Sequence, residues 1–306
     1  MDADLCELCP RRCRARRAAG QRGYCRAGAV PRIYRYGPHA GEEPPLSGTR
    51  GSGAVFFSHC TLRCLYCQNY PWSQSGAGRD YDIAGLAGIL KDLQAAGCHN
   101  WNLVSPTPWL PQIREALAQA RAGGADLPVV YNTSGYERVE TLRALAGQVT
   151  VYLADLRYAE AATARAGSDA PDYVEQARRA ILEMWRQVGP LRLDAAGIAR
   201  SGLICRVLVL PGRAAEACAS LEWLAQHLGA DAAVSVMGQY VPAHRAPRCA
   251  GWDRRITAAE YAVVCRRMEA LEFAVGWQQE CGAAAAAELL GFNMPPDAAV
   301  LPPDGG

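Results

Sequence analysis

Lysine is almost missing from this chain. Lys91 is the only one among 32 basic residues, so arginine carries nearly all of the positive charge. That argues against Schiff-base catalysis by a lysine amine, although codon usage alone explains such a bias. Long apolar runs are absent as well, and no stretch approaches the roughly 20 residues a membrane helix needs. The start, Met1-Asp-Ala-Asp-Leu5, has neither the basic residues nor the apolar stretch of an export signal. A cytoplasmic protein with no membrane partner is expected. Excess charge is lacking too: the net charge is +2, so no broad field argues for nucleic acid.

What the chain does have is cysteine, thirteen of them in 306 residues. Without an export signal these read as metal ligands and reduced thiols, not as a disulfide framework. They fall into groups. Cys60, Cys64 and Cys67 occupy one short run, 60–70 (CTLRCLYCQNY), with Cys-x3-Cys-x2-Cys spacing. A cubane [4Fe-4S] cluster takes four thiolates, one per iron, so three thiolates leave one iron open to another ligand. Zinc would want a fourth Cys or His, commonly in paired knuckles. His59, adjacent to Cys60, is poorly placed to bend round to the same metal.

Cys6, Cys9, Cys13 and Cys25 form a second group, separated by Arg- and Gly-rich turns that cannot build an apolar core. A module this small needs a staple, and inside a reducing cell a metal is the usual one. Four thiolates suit closed tetrahedral zinc or a second, fully ligated iron–sulfur cluster, and spacing does not separate the two. Cys98, Cys205, Cys218 and Cys265 lie in apolar or helical contexts and read as small buried hydrophobes. Cys249 and Cys281 receive no role.

Apolar periodicity gives alternating strands and helices. Strands are expected at 54–57, 102–104, 127–131, 149–153, 203–209 and 233–237, with a last one at 273–275. Helices are expected at 82–96, 111–122, 136–146, 171–186, 213–228 and 258–271, the first capped by Asp82. Repeated units of this kind imply a parallel sheet covered by helices. About six of them suggest an α/β fold of the partial (β/α)6 TIM-like barrel type, with its site at the C-terminal strand ends. Residues 1–48 read as the cysteine-rich metal module, 49–290 as the barrel and 291–306 as a C-terminal tail.

The Cys-x3-Cys-x2-Cys run, with Tyr66 before its last cysteine, resembles the radical S-adenosylmethionine (SAM) superfamily. Further segments narrow the resemblance: 102–113 (NLVSPTPWLPQI), 131–136 (YNTSGY), 153–158 (LADLRY), 202–212 (GLICRVLVLPG), 237–246 (MGQYVPAHRA) and the N-terminal CELCPRRC…GYC pattern. These are similar to the PflX-type subgroup of pyruvate formate-lyase activating enzyme-like proteins, over nearly the whole chain to about residue 281. The resemblance implies a [4Fe-4S] cluster on Cys60, Cys64 and Cys67 whose open iron is chelated by SAM. Reduction of the cluster would cleave SAM to methionine and a 5′-deoxyadenosyl radical.

It also implies cofactor contacts. The backbone at Tyr66 would meet adenine. Ser105, Pro106 and Thr107 stand where relatives carry a Gly-Gly-Glu-like motif for the methionine amino group. Asn132 and Ser134 are placed for the methionine carboxylate or the ribose. Asp155 faces the same mouth, Arg206 is a candidate for the methionine carboxylate, and Gln239 with Tyr240 for adenine or substrate. Plainer readings compete: Asn132 or Ser134 as helix caps, Asp155 paired with Arg157, Arg206 snorkelling from a strand. Trp101, Trp109 and Tyr136 read as packing more than as shields for a radical. His99 and His244 are isolated, and no catalytic residue is assigned. Implied partners are an electron donor such as flavodoxin or ferredoxin and, if the protein is an activase, a glycyl radical enzyme. Stand-alone modification of a small molecule or peptide is the alternative, and a non-catalytic metal-binding adaptor a third reading.

Overall fold

The computed structural model describes residues 5–279, so Cys281 and the 291–306 tail lie outside the described residues. Among the described residues, the segment 5–31 holds no strand and leads into β1 (Arg32–His39). A short helix α1 (Pro44–Ser47) connects β1 to β2 (Ser52–Phe57), which pairs with it antiparallel. The chain continues through α2 (Tyr70–Ser73), β3 (Arg79–Asp80), α3 (Ile83–Ala95), β4 (Trp101–Val104), α4 (Leu110–Ala122) and β5 (Val129–Thr133). Then come α5 (Val139–Arg143), β6 (Val151–Asp155), α6 (Ala161–Ser168), α7 (Tyr173–Val188), the short β7 (Arg192–Leu193) and β8 (Ala199–Leu208). Last are α8 (Ala214–Leu228), β9 (Ala233–Met237), α9 (Ala258–Ala270) and β10 (Val275–Gln278).

The sheet runs β10-β9-β8-β6-β5-β4-β2-β1-β3, and from β2 to β10 every neighbouring pair is parallel. This is an α/β fold built on the expected parallel sheet. The ends of β2, β4, β5, β6, β8 and β9 all border one cavity, through Phe56, Val104, Asn132, Asp155, Leu208 and Met237. In a flat sheet those six ends would span about 24 Å at ~4.8 Å per strand. The sheet is therefore curled into a partial barrel, with β10 as a seventh parallel strand.

Strand alternation sorts side chains to the two faces. Outward, Trp101 donates its indole N–H to Leu90 O of α3 (2.7 Å) and is fully buried under that helix. Inward, Val130, Val151, Leu153, Ile204 and Ala233 form one cluster with Leu46 of α1. Thus α1 plugs the lumen. Asn100 fixes the plug, donating from Nδ2 to Leu46 O (2.9 Å) while Oδ1 accepts from Ser52 (2.6 Å). β1 and α1, which precede residue 49, belong to the sheet and its lumen.

Among the described residues no helix is long and apolar enough to cross a membrane. Cys98, Cys205 and Cys265 are buried as expected, whereas Cys218 and Cys249 are half-buried.

Candidate active site at the strand ends

The 60–67 loop leaves β2 at once, and backbone bonds hold it from several sides. Ser58, wholly buried, donates to Ala77 O (2.5 Å), and His59 N–H donates to Trp72 O (3.0 Å). Leu65 N–H reaches Gly167 O (2.8 Å), and Leu65 O accepts from the amides of Arg245 and Ala246 (both 2.9 Å). Side chains complete the anchoring: Gln74 donates to Cys64 O and Gln68 to Gln239 O, each at 2.9 Å.

All three sulfurs receive donors. Cys64 Sγ accepts from Ser168 Oγ (2.9 Å) and Arg157 Nη1 (3.2 Å). Cys60 Sγ accepts from Leu62 N–H (3.5 Å), and Cys67 Sγ is hydrogen-bonded to Ser73 Oγ (3.2 Å) and to the Asn69 amide. Burial pushes the Cys60 thiol up to about 12 and the Cys67 thiol up to about 11. The nearby charge of Cys64 contributes to both of these rises, and Arg157 opposes them. Three neighbouring sulfurs, Cys64 buried and the other two half-buried, all aimed at by N–H, O–H or guanidinium donors, suit thiolates bound to a metal, whose charge replaces the protons. Among the described residues no three His, Cys, Asp or Glu side chains are drawn together around a single ion. A cubane spreads its thiolates over separate irons and does not need such a shell.

A cavity of about 400 Å³ opens beside the loop. Tyr66, Ser105, Asn132, Ser134, Asp155, Arg206, Gln239 and Tyr240 all line it, with Cys67 and Arg157. Their engagements differ. Asp155 Oδ2 is paired with Arg157 Nε (2.8 Å) and Nη2 (2.5 Å), which leaves Arg157 Nη1 for Cys64. Arg206 is clamped by carboxylates: Nε to Glu43 Oε1 (2.8 Å), Nη2 to Glu43 Oε2 (2.5 Å) and to Glu42. Its charge is thus compensated inside the chain. Asn132 Nδ2 faces Glu42 Oε1 (3.4 Å), and Ser134 O accepts from Tyr173 (2.7 Å). Neither side chain caps α5, whose N-cap is Arg138. The Tyr66 hydroxyl meets Tyr158 (2.6 Å), and its ring stacks on Trp252 at 5.4 Å.

Ser105, just after β4, has φ +58°, the left-handed conformation that glycine adopts without cost and other residues adopt at about 1–2 kcal/mol. The glycine-like backbone is kept without the glycine. Pro106 and Thr107 turn away from the cavity. Thr107 is buried and donates to Glu137 Oε1 (2.6 Å), as Thr133 does (2.5 Å). Gly135 lies where β5 and β6 converge; a Cβ there would stand 2.2 Å from Asp155 O.

Trp101, Trp109 and Tyr136 are buried in packing, Trp109 donating to Ser58 O (2.8 Å) and Tyr136 to Asp172 Oδ1 (2.7 Å). His244 stacks on Tyr70, and His99 contacts Arg50. Sequence reasoning missed Glu42, Glu43, Ser168 and the Arg157–Cys64 contact. The Glu-Glu-Pro-Pro run was the available signal for the first two; nothing local announces the others.

The N-terminal cysteines also lie within electrostatic reach of one another. Cys9 is buried, and Cys6, Cys13 and Cys25 are half-buried. Burial raises the Cys9 and Cys25 thiols, and neighbouring sulfurs add to it, Cys6 and Cys25 at Cys9, Cys6 and Cys13 at Cys25. The amide two residues on donates to each sulfur, Arg11 to Cys9 and Ala27 to Cys25, as Leu62 and Asn69 do in the 60–67 loop. Gly23 admits Cys13: a Cβ on it would stand 2.2 Å from Cys13 Sγ.

No protein-family model matches the chain. An uncharacterized protein of Methanocaldococcus jannaschii is 28% identical over 268 residues, 83% of this chain and 71% of the relative. Among solved structures, anSMEcpe with bound AdoMet is similar with a TM-score of 0.49 and 11% identity, over 70% of this chain and 57% of that one. HydG, a maturase of the [FeFe]-hydrogenase, is similar with a TM-score of 0.48 and 11% identity, over 71% of this chain and 48% of that one. The chain thus spans about half the length of these two solved relatives.

Proposed function

We propose that this chain is a radical SAM enzyme. The observation that carries the reading is the placement of Cys60, Cys64 and Cys67 on one anchored loop at the strand ends, beside a cavity bordered by six strands. When bound, a three-thiolate [4Fe-4S] cluster with SAM supplies one-electron cleavage to a carbon-centred radical. The chain's own residues provide the setting. Ser168 and Arg157 donate to the Cys64 sulfur, and Asp155 holds the Arg157 fork in place. Asn132, Ser134 and Gln239 offer amide and hydroxyl groups to a polar cofactor, and Tyr66 and Tyr240 close one wall. The group that gives up its hydrogen would have to enter this open cavity beside the cofactor. A one-electron donor protein, a flavodoxin or ferredoxin, would supply the reducing equivalent.

The test is anaerobic. Protein reconstituted with iron and sulfide, reduced with dithionite in the presence of SAM, is expected to form 5′-deoxyadenosine, and Cys64→Ala to form none. Deoxyadenosine from Cys64→Ala at the wild-type rate would overturn the ligand assignment. A wild-type chain that takes up no iron on the loop would overturn the whole reading.

A further inference from the structure

Tyr24 sits between the two cysteine groups. It immediately precedes Cys25, and its ring is sandwiched between two guanidinium groups, Arg11 at 3.9 Å and Arg63 at 4.2 Å from the centroid. Arg11 lies between Cys9 and Cys13; Arg63 lies between Cys60 and Cys64. Each layer of the stack therefore belongs to a cysteine turn. Directed bonds fix its geometry. Arg63 Nη2 donates to Tyr24 O (2.9 Å), Arg11 Nε donates to Thr61 O (3.2 Å), and the Tyr24 hydroxyl donates to Asp169 Oδ2 (2.8 Å). Asp169 follows Ser168, the donor to Cys64 Sγ, and Ser168 O accepts from Arg63 N–H (3.3 Å). On its other side the module is tied to α5, where Thr141 donates to Leu8 O (2.8 Å).

The module has little to hold it in shape. Among residues 5–31, ahead of β1, the one regular element is the single turn Arg17–Ala19, and the buried apolar side chains are Cys9, Ala15 and Ala27. A segment with so small a core takes its order from a staple, and the group of four neighbouring thiols, two of them with amide donors to sulfur, is the one present.

We propose that a metal centre on Cys6, Cys9, Cys13 and Cys25 clasps the 60–67 loop through the Arg11–Tyr24–Arg63 stack, so that the loop is preorganised for its own cluster only when the N-terminal centre is filled. The proposal rests on the reading of Cys60, Cys64 and Cys67 as cluster ligands. The ligand chemistry is a thiophilic metal centre; an iron–sulfur cluster, which spreads its thiolates over several irons, suits these four sulfurs better than one zinc ion, because no three of them surround a single point. The dependence runs one way: the N-terminal centre forms without the loop cluster, and the loop cluster loads more weakly without the clasp.

The full chain, purified and reconstituted anaerobically, decides this by zinc and iron analysis together with electron paramagnetic resonance of the reduced protein. A variant with Cys60, Cys64 and Cys67 all replaced by alanine is expected to keep its N-terminal metal, and zinc or iron in it identifies the source. Tyr24→Ala should keep that metal but load the loop cluster about tenfold more weakly, a loss of about 1.4 kcal/mol. Tyr24→Phe, which keeps the ring between the two arginines, should load as wild type. Independently of any variant, stripping the N-terminal metal from wild type with a chelator, before iron is added, should speed amide hydrogen exchange across residues 61–69 about tenfold. Wild-type loading by Tyr24→Ala, an empty N-terminal site in the triple variant, or unchanged exchange on stripping would each overturn the clasp. If wild type holds the N-terminal metal yet takes no cluster on the loop, the cofactor reading fails, and the exchange measurement still decides the clasp.

Discussion

Glu137 is wholly buried behind the end of β5, with Thr107 and Thr133 donating to Oε1 and nothing donating to Oε2. Burial pushes its carboxyl from the ordinary 4.5 up to about 7, against the pull of hydrogen bonds from Thr107, Thr133 and Tyr131. An acid whose folded value is raised binds its proton more tightly in the native state. Its contribution is therefore favourable below the ordinary value and is lost as pH rises towards 7. Roughly 3 kcal/mol is at stake over that window. Glu137→Gln should flatten that part of the stability–pH profile and be more stable than wild type above pH 7, as chemical denaturation at several pH values would register. Glu43 behaves in the opposite sense. Burial alone would raise it, but the Arg206 charge prevails and holds its carboxyl below the ordinary value. That contribution is present above the ordinary value and fades as acid protonates the group. Arg206→Met would leave two buried carboxylates without their cation and should cost about 3–5 kcal/mol in urea unfolding at neutral pH. A loss below about 1 kcal/mol would mean that solvent or another cation already serves them.

Among the elements, α3 is the one whose local rules are most complete. Asp82 stands at its N-cap in extended conformation and accepts from Gly85 N–H (2.7 Å), while Leu86, Ile89, Leu90 and Leu93 bury one face. Asp82→Ala should lower stability by about 1 kcal/mol without altering the site. A thermal midpoint that does not move would show the frayed first turn to be solvated as well by water. α5 shows the reverse. A helix over 136–146 is what periodicity predicts, yet regular structure covers only Val139–Arg143. Tyr136 is committed to Asp172 and Glu137 to Thr107 and Thr133, and these bonds, two of them long-range, hold the segment's start outside the helix. The α1 plug works by both means, an apolar foot in the lumen through Leu46 and an ionic clamp through Glu42, Glu43 and Arg206.

At the scale of the molecule, the curled sheet gathers onto one mouth residues scattered from position 39 to position 240. Two groups of buried and half-buried thiols lie one on each side of the Tyr24 stack, and burial with neighbouring sulfurs raises Cys9, Cys25, Cys60 and Cys67. Filling them should stabilise the whole fold by mass action, about 2.7 kcal/mol for a ligand at a hundred times its dissociation constant. Anaerobic reconstitution with iron and sulfide is therefore expected to raise the thermal midpoint, and chelation to reverse it. An unchanged midpoint with metal demonstrably bound would mean that the unfolded chain's thiols bind it equally well.

The sequence by itself determined the alternation of strand and helix, the Asp82 cap, the β9 strand over 233–237 and the grouping of the cysteines. Each of these is written in spacing over a few neighbouring residues, where backbone geometry alone decides. β1, which reads Arg-Ile-Tyr-Arg-Tyr-Gly-Pro-His, escaped because it lies next to the sheet's edge strand with mixed burial and no clean alternation. α6 escaped between two better-patterned elements. Tertiary structure alone decided that Arg206 meets Glu42 and Glu43 from more than 160 positions away and that Arg157 turns to Cys64. It also set Ser105 in a glycine's conformation and slid Tyr24 between Arg11 and Arg63. Pairings of that kind depend on how the sheet curls, and the curl is a sum over all its strands that no local stretch encodes.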